Sequence, residues 1–227
     1  MLRYLAIIQK INELIQFETQ QGIRIEQRLV LVNFLKDFIT RKSLEEIQNK
    51  STIGTISNSI IDWYNQDADS NNRLLYVRLM IRLKEIKDNS SIPNLENKIR
   101  DFISDTIDIN IIDKLLKKEL NYLISFYPQE FRTAVKRIPE IFDKIYNLLP
   151  QEVIDQIIID FINNHPQIVP DKLKLINYKV ENPAQIVSPI LDRVQGLEWT
   201  IQEQYLEVIA KMKCGNNPSL TERFYNI

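Results

Sequence analysis

The stretch 43-SLEEIQNKSTIGTISNSIIDWYNQ-66 decides how the chain is read, because its apolar residues fit two architectures. Leu44 and Ile47 form one short apolar face, and Ser43 with Glu46 three residues on has the form of a capping box. Ile53, Ile56, Ile60 and Trp63 resume the helical period beyond Ser51 and Thr52. As a helix-turn-helix, the second segment would present Thr55, Ser57, Asn58, Ser59 and Asp62 to DNA, since hydroxyls and amides bond base edges and phosphates. As two helices of a bundle, it would start at Ser51 or Thr52, bury its isoleucines and Trp63, and leave the polar residues in water. The spacing favours the bundle. With Ile47 buried in the first helix, a helix-turn-helix wants apolar residues near 58 and 61, but Asn58 holds the first place and Ile56 and Ile60 arrive about two residues early. Residues 51–66 carry no Lys or Arg, and Asp62, Asp67 and Asp69 crowd the far end, where a phosphate backbone would repel them.

Outward from this stretch, the same period recurs. Leu5, Ile8, Ile11 and Ile15 make a stripe over 2–19, closed by Gly22 as a C′ cap. Ile25, Leu29, Val32, Leu35, Phe38 and Ile39 make a second, and 67-DADSNN-72 is a polar connection to the helix resuming at Leu74. The segment 73-RLLYVRLMIRLKEIK-87 sets Arg73, Arg78, Arg82, Lys84 and Lys87 against a single acid, Glu85. It is the phosphate-holding helix of the DNA alternative, and otherwise a solvated face beside Leu79 and Leu83. The polar run 88-DNSSIPN-94 is the expected boundary, dividing the chain into subdomains 1–90 and 91–227.

Beyond it, a long helix is expected over 111–126, with Ile112, Leu115, Leu116, Leu120, Leu123 and Ile124 on one face. Pro128, Pro139 and Pro150 each precede a helix-compatible group and read as helix starts, because proline at the first position forfeits no bond. Their spacing of eleven residues is too short for a helix-pair repeat, whose units run to roughly 33 residues or more. In 172-KLKLINYKVENP-183, lysines alternate with Leu173 and Leu175, so one short strand or extended segment is expected near 172–180. Helices resume near 183–194 and 198–212. In the tail, Phe224 and Tyr225 are candidates to seat in a partner's groove or a second subunit. The fold class expected is all-α, a multi-helix bundle.

Composition narrows the chemistry. Four glycines in 227 residues, at 22, 54, 196 and 215, are about 2% against an average of roughly 7%. No two lie close enough for a phosphate-cradling loop, and few positions accept a positive φ cheaply. One His and one Cys cannot assemble a Cys/His zinc site or a disulfide framework, and lone Cys214 fits a reducing, cytoplasmic setting. His165, next to Pro166, reads as a capping or solvated loop residue. Asp101, Asp105 and Asp108 at i, i+4 and i+7 could hold a cation or act as a base; the plainer reading is an acidic surface with Lys98 pairing to Asp101. The 29 basic and 30 acidic residues balance, with 13 and 11 through residue 92 and 16 and 19 beyond, so neither half is a basic domain. No run approaches the roughly 18 apolar residues of a membrane span. The expectation is a cytoplasmic, non-enzymatic protein without cofactor or metal, acting by contact with another protein or itself. The alternative is a DNA-binding regulator using Thr55, Ser57, Asn58, Arg73, Arg78 and Arg82.

Overall fold

The computed structural model describes residues 25–38, 50–86, 93–176 and 183–212, together with Lys10 and Glu13. Among these residues the regular structure is entirely helical. The remainder of the expected helix over 2–19, the short helix from Ser43, and Phe224 with Tyr225 lie outside the described residues. The chain divides into two compact units, Met1–Ile107 and Asp108–Ile227. Among the described residues, no helix is long and apolar enough to cross a membrane.

In the first unit, helices α1 (Ile25–Phe38), α2 (Lys50–Gln66), α3 (Ser70–Ile86) and α4 (Pro93–Asp101) are followed by a π-helical turn, Phe102–Thr106. Helix α3 is the hub and packs against α1, α2 and α4. Its sequence explains this position: Leu74, Tyr76, Val77, Leu79, Met80, Ile81 and Leu83 are buried, so apolar side chains wrap most of its circumference, the signature of a central helix. The arginines that suggested an exposed basic face are half-buried: Arg78 and Arg82 lie on the remaining strip, while Arg73 shares the side of Val77 and Met80. Helix α2 buries Ile56, Ile60 and Trp63 as expected, but Ser57 and Ser59 are buried too, against the expectation of a solvated polar row. The face is wider because α2 packs on both α3 and α4. Helix α3 begins where the Asp69 carboxylate accepts the Asn71 and Asn72 amides at 2.8 and 3.0 Å, a side-chain N-cap.

The second unit contains α5 (Ile109–Lys114), α6 (Lys117–Phe126), α7 (Pro128–Arg137), α8 (Ile141–Ile145), α9 (Gln151–Asn164), a 3-10 turn (Pro166–Ile168), α10 (Val169–Leu175), α11 (Pro183–Val194) and α12 (Trp199–Lys211). Helix α9 is the hub, against α7, α10 and α11, and buries Val153, Ile154, Ile157, Ile158, Phe161 and Ile162. The three prolines stand at helix starts: Pro128 opens α7, Pro150 immediately precedes α9, and Pro139 lies two residues before α8.

Two local expectations are corrected here. The helix over 111–126 is broken. Leu115 and Leu116 are extended, with ψ of 133° and 146°. The Leu115 amide closes α5 on the Ile111 and Ile112 carbonyls, and the Glu119 carboxylate accepts the Leu116 amide at 2.9 Å to open α6. Two satisfied ends replace one continuous ladder, and Leu116 is turned outward, 54% exposed. Residues 172–175, read as extended, belong to α10; residues 177–180 lie outside the described residues. Val169, Leu173 and Ile176 are buried at i, i+4 and i+7, so the period is helical once the residues before the lysines are counted. The alternation misleads because Lys172 is itself buried, its ammonium donating to the Asp143 carboxylate at 2.5 Å.

Candidate functional site

The residues considered for catalysis are dispersed into structural roles. The π-helical turn, in which the Ile107 amide donates to the Phe102 carbonyl at 3.0 Å, shifts the register after Asp101. Asp108 therefore leaves the presumed shared face and caps α5, accepting the Ile111 amide at 2.8 Å. Asp101 pairs with Lys98 at 3.1 Å, as expected from their spacing. Among the described residues, no group of three or more His, Cys, Asp or Glu is placed to hold a metal ion. His165 ends α9, its amide donating to the Phe161 carbonyl at 2.7 Å and its ring lying edge-on to Phe161 at 6.3 Å.

The residues of the DNA alternative are not gathered into one exposed row. Ser57 is buried and Asn58 exposed, while Thr55 lies on α2 in the turn before them. Arg73 is turned inward, its Nε donating to the Asp67 carbonyl at 2.6 Å and its guanidinium lying over the Tyr64 ring at 5.1 Å. Arg78 and Arg82 are half-buried on α3, each with a partner.

Each unit has a buried polar cluster. In the first, Asp67 is 4% exposed, and its carboxylate accepts the Tyr76 hydroxyl at 3.1 Å and the Asp69 amide at 3.0 Å. Nearby, Arg28 donates to the Gln66 amide oxygen at 3.1 Å and lies 5.9 Å from the Trp63 ring centre. Burial, joined by the Asp67 charge and the hydrogen bond to it, pushes the Tyr76 phenol up to about 12. A raised phenol contributes stability that is complete below the unfolded value of about 10 and is lost as pH rises through the folded one. Tyr76→Phe should thus destabilise the protein by about 1–2 kcal/mol near neutral pH, through the lost bond to a buried carboxylate. Above pH ~10 the gap should close, because only the wild type then loses the linked contribution. Denaturant unfolding at several alkaline pH values checks both parts.

In the second unit, Asp160 is gripped by three side chains or amides. Arg132 binds it bidentately, Nε to Oδ2 at 2.6 Å and the second guanidinium nitrogen to Oδ1 at 3.0 Å. Lys136 adds a contact at 3.1 Å, and Asn164 donates to the Asp160 carbonyl at 2.8 Å. Gln156 takes a remaining guanidinium proton at 2.9 Å. The Tyr205 hydroxyl, donating to the Pro166 carbonyl, is raised well above its ordinary value by burial. Such groups are satisfied by one another and hold α7, α9 and α12 in their packing.

Several large apolar side chains face outward. Val30 and Phe34, one turn apart on α1, are 72% and 49% exposed, and Trp199 at the start of α12 is 70% exposed. Phe126, at the end of α6, is exposed with its ring 4.6 Å from that of Tyr122. Sequence reading passed over these residues. Val30 and Phe34 were detectable, since they stand at i and i+4 off the stripe formed by Val32 and Leu35. No protein-family model, curated protein or solved structure matches this chain.

Proposed function

We propose that this is a non-enzymatic helical protein of the cytoplasm that acts by contact with another protein, as an adaptor or regulatory subunit. The observation that carries the reading is the outward Val30–Phe34 pair on α1, opposite the buried Val32 and Leu35. Two apolar side chains one helical turn apart form the minimal anchor of a helix-in-groove contact, and a partner that covers their exposed parts would remove that apolar surface from water. The pairing of buried Asp160, Lys172 and Asp67 with Arg132, Asp143 and Tyr76 supports a scaffold role for these polar groups. Phe224 and Tyr225 are proposed as a second contact on the strength of their sequence, and lone Cys214 supports the reducing compartment.

Affinity capture from native extract, with a photo-crosslinking residue at position 30 or 34, tests the proposal. One defined protein should crosslink at those positions, and Phe34→Asp should weaken its capture by about tenfold or more. Failure to crosslink any protein would sink the reading. Salt-sensitive retention on DNA, abolished by Arg78→Ala with Arg82→Ala, would favour the nucleic-acid alternative instead.

A further inference from the structure

We propose that α1 is a detachable helix latched to the first unit by Arg28, and that this latch sets how much of the Val30–Phe34 contact is offered to a partner. The second half rests on the partner reading above; the latch itself does not. Helices α2, α3 and α4 each pack against both of the others, so they close a three-helix set without α1. Helix α1 joins that set chiefly through α3. Of its described side chains, Arg28, Val32 and Leu35 are buried, at i, i+4 and i+7 along one side. An element seated from one side by so few buried groups opens locally before the whole structure does.

Arg28 is the group that ties α1 to a second helix. Its guanidinium donates to the Gln66 amide oxygen at 3.1 Å and lies 5.9 Å from the Trp63 ring centre, and these two residues stand one turn apart on α2. It also reaches the Tyr76 hydroxyl, which donates in turn to the Asp67 carboxylate at 3.1 Å. A guanidinium held at 8% exposure is costly unless its protons are bonded, so its seat exists only while these acceptors surround it. Once α1 leaves, it is a helix of 14 residues in water, and a helix of that length is marginal by itself. The helical spacing that sets Val30 beside Phe34 is then lost. Apparent affinity for a partner therefore follows the docked fraction of α1, and a bound partner raises that fraction in return.

Hydrogen–deuterium exchange of the full chain tests the latch. Amides of α1 should exchange as a block, about tenfold or more faster than those of α3. Arg28→Ala and Gln66→Leu, on opposite sides of the bond, should each speed α1 by about tenfold again while leaving α3 and α4 unchanged, which a general loss of stability would not do. Arg28→Lys keeps the cation and should fall between wild type and Arg28→Ala. Trp63 and Trp199 are the two tryptophans of the chain, so in a Trp199→Phe background the emission of Trp63 should shift to the red on Arg28→Ala as its ring meets water. Exchange of α1 that matches α3 in the wild type, or that both variants leave unaltered, overturns the latch. Partner capture should weaken in step with the fall in docked fraction. Capture indifferent to an opened α1 overturns the regulatory half alone. Absence of any captured partner sinks the partner reading and that half with it, while exchange still decides the latch.

Discussion

Replacing Phe161 with alanine is expected to produce the largest loss of stability, about 3–5 kcal/mol. Phe161 is fully buried on α9, the hub of the second unit, and its ring meets that of Phe142 edge-to-face at 5.7 Å and 88°. Truncation removes the transfer free energy of the ring and leaves a cavity in the hub helix, which α7, α10 and α11 hold in place. The lost aromatic pair contributes about 0.5–1.5 kcal/mol beyond area alone. Against a usual stability of roughly 5–15 kcal/mol, this is enough to populate the unfolded unit under mild denaturant. Denaturant midpoints, with Phe126→Ala as the exposed control, give the measurement. A Phe161→Ala cost no greater than that of Phe126→Ala would mean α9 is not central to the packing.

Arg132→Met is expected to cost about 2–3 kcal/mol, below the full penalty for breaking a buried pair because the Arg132 side chain is 28% exposed. Asp160, only 8% exposed, would keep Lys136 alone as a charged partner. The double variant Arg132→Met with Asp160→Leu should recover most of that loss, because no buried charge is then stranded. The pH dependence follows from the carboxyl. Burial would raise its pKa, but the hydrogen bonds from Arg132 and Lys136 outweigh burial and hold it below the ordinary aspartate range. A depressed carboxyl contributes stability that is complete above the unfolded value of about 3.9 and disappears as pH falls through the folded one. The gap between wild type and Arg132→Met should therefore shrink on acidification below pH ~4. A gap that stays constant to lower pH would show that the ion pair is not its source.

Much of the helical framework was legible in local spacing. Ile56, Ile60 and Trp63 are buried on one helix, Lys98 pairs with Asp101, and Pro128 opens α7 because each depends on neighbours three or four residues away or on a single ring. Where reading failed, a distant or irregular element intervened. Leu116 is helical by pattern, yet a carboxylate cap at Glu119 starts a new helix there. The acidic trio shared a face only until the π-helical turn displaced it. Lys172 looked like the solvent side of a strand because its partner, Asp143, stands 29 residues earlier.

From the amino acids alone came the helical class. Apolar residues every three or four positions bury one side of a helix and no side of a strand, and so few glycines leave tight hairpins without their usual turns. Only the packed units decided which polar groups lie inside and which apolar ones stay out. A charge enters the interior when another element brings its counterpart, as α7 brings Arg132 to Asp160 on α9, and no local pattern records that meeting.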